Sequence, residues 1–183
     1  MDVTENGLRA AVKALTDVVA PAIDRNDLLA AEQLRLVVDY LQFVRSRLDL
    51  LYDRDRFELQ HHLAMARSLK VLGAPLSKDA ASQLETAIIE GAGVQASVGA
   101  SMPALKAASA ALAAAVRDLI REAAAFEPAV RGKIENCVLE ASEERITFER
   151  AWYLPLGFEP APQELSPLAQ IMMDAASGAL RSG

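Results

Sequence analysis

The chain has one cysteine, Cys137, in 183 residues. An intramolecular disulfide is therefore impossible, and thiol-rich zinc sites are excluded. No apolar run approaches the roughly 18 uncharged residues that a membrane-spanning helix needs. No block of Lys and Arg stands out against a formal net charge of −6 and a pI near 5.0, so the surface repels phosphate backbones and no nucleic-acid partner is expected. The first residues, MDVTENGLRA, lack the basic start and apolar core of a signal peptide. Together these absences lead to the expectation of a cytoplasmic protein. Aromatic residues are also scarce, at 5%. No stretch alternates in the period-two manner of a strand, and no internal repeat is evident.

Alanine is abundant. It supplies much of the 52% hydrophobic share. It is the best helix former and lets helices approach closely. The spacing predicts a first helix over 3–20, with Leu8, Val12, Leu15 and Val19 on one stripe, kinked or ended at Pro21. Asp24–Asp27 reads as a turn, with Asp27 as the N-cap of the next helix.

From Leu28 to Leu72 there is neither glycine nor proline, and Gly73 and Pro75 then supply stop signals. One continuous helix of about 67 Å is expected there, at roughly 1.5 Å per residue. The alternative is a break near Asp53–Asp55. A seam of three- and four-residue steps runs Leu34, Val37, Leu41, Val44, Leu48, Leu51, Asp55, Glu58, His62, Met65, Leu69, Leu72. A second apolar row, Leu29, Leu36, Phe43, Leu50 and Phe57, lies on nearly the opposite side. A helix apolar on two sides must be covered on two sides, so this row is expected at the centre of the chain's own bundle or against a second subunit.

Ser77 begins a third helix to about Glu90, and the uncharged segment 91–101 follows as a loop or helix extension. Ser101 and Pro103 start a fourth helix to about Phe126. Glu127–Gly132 reads as a short connection into a fifth, from about Lys133 to Tyr153. Its inward residues are Ile134, Cys137, Val138, Ala141, Phe148 and Trp152. Composition changes after Leu154, where a proline-rich strap leads to a short amphipathic helix over about 168–180. The expected fold is all-α: an up-and-down bundle of four to five helices with one long central helix, residues 1–154, followed by the strap and short helix, 155–183.

Chemistry is concentrated where Asp55, Glu58 and His62 interrupt the apolar seam. Steps of three and four place them on one helical face. Two carboxylates and an imidazole are a workable ligand set for a divalent metal, and the fifth helix adds Glu140, Glu143 and Glu144. Glu58 and His61 have the Glu-x-x-His spacing of ferritin-like di-iron bundles. That resemblance stops at two residues, because both histidines lie in one segment and no second motif exists. The run Leu48–Phe57 resembles the tyrosine-to-arginine segment of acyl-CoA dehydrogenases, but continues as Glu58-Leu59 where that family has Phe-Gly. No flavin or acyl-CoA chemistry is carried over.

The competing reading is a layer of ion pairs, with Arg54, Arg56, Arg145 and Arg150 as partners and Arg145 placed to meet Asp55 or Glu58. Gly91, Gly93 and Gly99 are not a phosphate loop, since no Lys-Ser or Lys-Thr follows. Cys137 on an apolar face is expected to be an inert thiol. The leading functional expectation is a non-enzymatic protein acting by self-association, as a homodimer, and by protein-partner binding, with no cofactor and with Leu29, Leu36, Phe43, Leu50 and Phe57 as interface. The alternative is a metal- or small-ligand-binding bundle, possible as an enzyme, using Asp55, Glu58, His62 and Glu144.

Overall fold

A computed structural model describes residues 3–72 and 77–181. Among these residues every regular element is helical. The α-helices are α1 (Val3–Ala14), α2 (Ala20–Ala22), α3 (Leu28–Arg47), α4 (Leu51–Val71), α5 (Lys78–Ala96), α6 (Met102–Ala123), α7 (Pro128–Tyr153) and α8 (Leu168–Arg181). The chain is an all-α helical bundle, as its periodicity predicts. The stop signals Gly73 and Pro75 lie outside the described residues.

The chain divides into two compact units: Met1–Leu51 with Trp152–Leu165, and Tyr52–Ala151 with Ser166–Gly183. The composition change at Leu154 therefore falls inside the first unit.

In the first unit, α1 is extended by a π-helical turn over Leu15–Val19 and ends in α2. Pro21 cannot donate a backbone hydrogen bond within this turn, and the wider π geometry, with the Ala20 amide reaching the Leu15 carbonyl, precedes it. Ile23 is extended, so the helix ends at Ala22, one residue after the proline. The carboxylate of Asp24 accepts from the Asn26 amide at 2.9 Å, and Asp27 caps α3 by accepting from the Ala30 amide at 2.9 Å. This short connection returns α3 alongside α1, and the two helices pack together.

Helical backbone continues from Leu28 to Val71, but not as one uninterrupted α-helix. A 3₁₀ turn occupies Leu48–Leu50, three residues before the alternative break at Asp53. The residue before it, Arg47, is held from a distance. Its Nε and Nη2 donate to the Trp152 carbonyl at 3.0 and 2.9 Å, and its guanidinium lies over the Phe43 and Trp152 rings. The strap is ordered by 3₁₀ turns at Leu154–Leu156 and Pro162–Glu164. Gly157 closes the first with φ +77°, a left-handed position that glycine takes without a Cβ penalty.

The second unit contains the main core. Leu59, Leu63, Ala66 and Leu69 of α4 meet Leu84, Ala87 and Ile88 of α5. Leu105, Leu112, Val116 and Leu119 of α6 and Ile134 of α7 complete it. Ser77 caps α5 through the Ala80 amide and is itself tied to Glu122 of α6 by its hydroxyl and amide, at 2.6 and 3.0 Å. Ser101 caps α6 through the Ala104 amide.

Two helices run further than the sequence spacing indicates. α5 continues to Ala96 through Gly91, where a Cβ would stand 2.9 Å from Leu112 Cδ1 and 3.2 Å from Leu63 Cδ2. The glycine lets α5 approach α4 and α6 closely. α7 begins at Pro128, since proline suits the first helical position and the Glu127 carbonyl receives the Val130 and Arg131 amides.

Candidate functional site

The polar interruption of the seam lies on α4, within the second unit. At about 100° per residue, Asp55, Glu58 and His62 fall in the middle of the arc that α4 buries. Phe57 and His61 flank them on one side; Leu59, Leu63 and Ala66 flank them on the other.

Each of the predicted residues finds a different partner. Asp55 lies 3.7 Å from Lys106 Nζ of α6. Glu58 lies 3.7 Å from Arg145 Nη2 of α7. His62 Nδ1 is 2.8 Å from the Glu58 carbonyl, which can only accept, so Nδ1 carries the proton. Glu144 faces His61, at 3.6 Å between Oε2 and Nδ1. Arg54 and Glu149 add a further pair at 3.3 Å. Arg56 turns away to donate to the Gln95 carbonyl at 2.8 Å, at the end of α5. Among the described residues, no group of three or more His, Cys, Asp or Glu side chains gathers closely enough to hold a metal ion.

The electrostatics follow from half-burial. Burial pushes the Asp55 carboxyl above its ordinary value, against the pull of Lys106 and Arg54. Burial also lowers the His62 imidazole, so its neutral form is favoured. The imidazole of His61 holds the Glu144 carboxyl below its usual range. The thiol of Cys137 is raised by burial, which favours the unreactive protonated form.

His61, which the sequence offered in a Glu-x-x-His spacing with Glu58, is the more deeply buried of the two histidines. Its side chain is only 2% exposed, and Glu144 at 3.6 Å from Nδ1 stands just beyond an ordinary hydrogen bond. It stacks on Phe57, whose ring lies 3.9 Å from Phe148 of α7. Its spacing of four from Phe57 was the available signal, since it continues the second apolar row one turn further. The ring is thus packed among aromatic side chains, with the Glu144 carboxylate at its edge.

The predicted interface row has a mixed outcome. Phe57 is buried under Phe148, and Phe43 is buried beside Tyr153 at 5.5 Å. Neither is available to a second subunit: the chain's own α7 covers both. Leu36 and Leu50 are half-buried, and only Leu29 is widely exposed, at 71%.

What remains open is a narrower strip on α3, in the first unit. Leu29, Gln33, Val37, Tyr40 and Val44 share roughly 80° of arc. Val37 is 49% exposed and Tyr40 58%, while Val44 is half-buried. On one flank of the strip lie Leu36 and Phe43; on the other lie the half-buried Leu34, Val38 and Leu41. The side of α3 bearing Glu32, Arg35 and Asp39 is a solvated ladder of exposed ion pairs at 2.7 Å. Elsewhere, the recesses between α5 and α6 are open grooves, one lined by Thr86, Ala87, Ala111 and Ala115 and the other by Ser77, Gln83 and Glu122. No described helix is long and apolar enough to cross a membrane. No protein-family model, curated protein or solved structure matches the chain.

Proposed function

We propose that this chain is a non-enzymatic, cytoplasmic association protein, with the second unit as its stable scaffold and the α3 strip of the first unit as its binding surface. One observation carries the reading. The first unit covers its apolar faces only in part: no α1 residue is fully buried, Leu8 and Val12 being half-buried, and α3 fully buries only Phe43. Of the nine aromatic residues in the chain, five (Tyr40, Phe43, Trp152, Tyr153 and Phe158) lie in this smaller unit. Tyr40, Tyr153 and Phe158 are exposed there. Of these, Tyr40 stands on α3, Tyr153 stacks on Phe43 and Phe158 lies in the strap. An exposed tyrosine beside exposed aliphatic side chains on one helix is the composition of a binding patch.

The polar layer on α4 fits a structural role better than a chemical one. Its carboxylates are divided among Lys106, Arg145, Arg54 and His61 instead of converging on a shared point. Such a layer fixes which helix faces which, without adding much net stability.

The test is native mass spectrometry of the untagged chain isolated from its own cells, beside Val37→Asp and Tyr40→Asp variants. The reading expects a protein assembly, of either like or unlike chains, that both substitutions dissolve. A monomer throughout would contradict it. So would a bound metal or small molecule lost on Asp55→Ala or His62→Ala, which would make the α4 layer a ligand site.

A further inference from the structure

We propose that Arg47 is a latch between α3 and the strap, and that the Leu48–Leu50 turn is a two-state element: 3₁₀ while the strap is seated, α-helical once it is released. This concerns the first unit alone and does not depend on the association reading above.

Local preference is the first argument. Leucine and arginine are good helix formers, and the run from Leu28 to Leu72 holds no glycine or proline. Left to these preferences, the backbone would continue as α-helix. Instead Arg47 stands at φ −111° and ψ −6°, away from the α-helical values of about −63° and −42°. The Leu51 amide then reaches back three residues to the Leu48 carbonyl, where an α-helix would reach back four. A local bond, from the Ser46 hydroxyl to the Phe43 carbonyl at 2.8 Å, is of a kind that helices accommodate with a slight bend.

What holds Arg47 is the second argument. Its Nε and Nη2 both donate to the Trp152 carbonyl, and its guanidinium lies 5.9 Å from the Phe43 ring centre and 5.3 Å from that of Trp152. Trp152 is in the last turn of α7, where the final carbonyls lack an amide of their own helix. Three residues on stands Pro155, which has no N–H to offer. Arg47 supplies the donors that this helix end needs, with a flat fork of N–H groups that only arginine carries. Beside it Tyr153 stacks on Phe43 at 5.5 Å, and the Leu154–Leu156 turn packs on α3. The seating of the strap and the position of Arg47 are thus one contact. Without it the local preference for α-helix is unopposed, and Phe43 and Trp152, buried while the strap is seated, are bared.

The experiment compares the full chain with Arg47→Met, which has arginine's helix preference and no donor, and with the milder Arg47→Lys, which keeps the charge and loses the fork. Trp152 is the chain's single tryptophan, so its fluorescence reads the latch directly. The expected result is a red-shifted Trp152 emission and amide exchange over 154–165 faster by about tenfold or more. At the turn, the nuclear Overhauser contact from Leu48 Hα to the Leu50 amide, typical of a 3₁₀ helix, is expected to give way to that from Arg47 Hα to the Leu51 amide, typical of an α-helix. Arg47→Lys is expected to show the same pattern at smaller amplitude, and the amides of α6 to stay as they were in both variants. A turn that remains 3₁₀ in both, or that unravels together with the strap, would overturn the two-state element. A strap as protected as in the parent chain would overturn the latch. Conversion of the turn by Ser46→Ala with the strap still seated would assign the turn to that hydroxyl and overturn its coupling to the strap.

Discussion

The two units use the same local rules and reach different degrees of completion. Both are built from capped helices with apolar stripes, and Asp27 in the first unit caps as well as Ser77 or Ser101 in the second. In the second unit, four helices contribute to one buried cluster, and leucines at 59, 105, 112 and 119 are almost wholly removed from water. In the first, α1 half-buries Leu8 and Val12 and fully buries no residue, and α3 fully buries only Phe43. Helix propensity and capping make a helix. Whether its apolar face is satisfied depends on how many neighbours the chain can bring to it, and the first unit has too few.

The largest way to break this comparison is to cut the same kind of atom from each unit. Leu59→Ala or Leu112→Ala in the second unit is expected to cost about 2–5 kcal/mol, because a cavity is left in a closed core. Val12→Ala on half-buried α1 is expected to cost well under about 1 kcal/mol, since solvent already reaches the site. Urea denaturation of the variants measures both, and equal losses would mean that the units are equally packed. Next in size is Gly91→Val. Its Cβ alone would stand 2.9 Å from Leu112, and the branch adds more, so overpacking of about 1–3 kcal/mol is expected. Gly93→Val, with nothing within 4 Å of its Cβ, is expected to be nearly neutral by the same assay.

A smaller effect sharpens the account of the polar layer. His62 is lowered by burial from the ordinary imidazole value of 6.5. The unfolded chain therefore takes up this proton more readily than the folded one. The contribution of neutral His62 is fully present above pH 6.5 and is lost as pH falls below it towards the folded value. His62→Gln is expected to flatten this limb of the stability curve between pH 7 and pH 5. An unchanged slope would assign the loss to other groups. Smallest of all is Glu149→Gln, which breaks the 3.3 Å pair with Arg54; a change of about 1 kcal/mol or less in urea denaturation is expected from this half-buried pair.

Local signals made much of the fold legible. The cap residues Asp27, Ser77 and Ser101, the short turn after Asp24 and the proline at the start of α6 each act within a few residues of themselves. The all-α class followed from period and composition. What was not legible depended on distant residues. Nothing between Leu28 and Leu72 marks the 3₁₀ turn at Leu48–Leu50, because the contact at its edge is between Arg47 and Trp152, 105 residues away. At Gly91 the sequence left a loop and a helix extension both open; the helix continues there because the missing Cβ makes room for Leu112 and Leu63, which only the packed bundle brings near.

The candidate site divides in the same manner. The α4 spacing correctly grouped Asp55, Glu58 and His62 on one face, since that is a property of one helix. It could not say that Lys106, Arg145 and a backbone carbonyl would take them separately. The two apolar sides of the segment 28–72 were likewise readable. Whether its second row would meet the chain's own bundle or a second subunit was not, and Phe43 and Phe57 of that row lie against Tyr153 and Phe148.

The claim at the centre of this account is that the first unit is completed by another chain and the second is complete alone. Hydrogen–deuterium exchange at dilute and at high protein concentration tests it most directly. The account predicts that amides over 29–44 slow markedly as concentration rises, while those of α6 are already slow and do not change. Exchange over 29–44 that is independent of concentration, or a change seen in α6 instead, would contradict it.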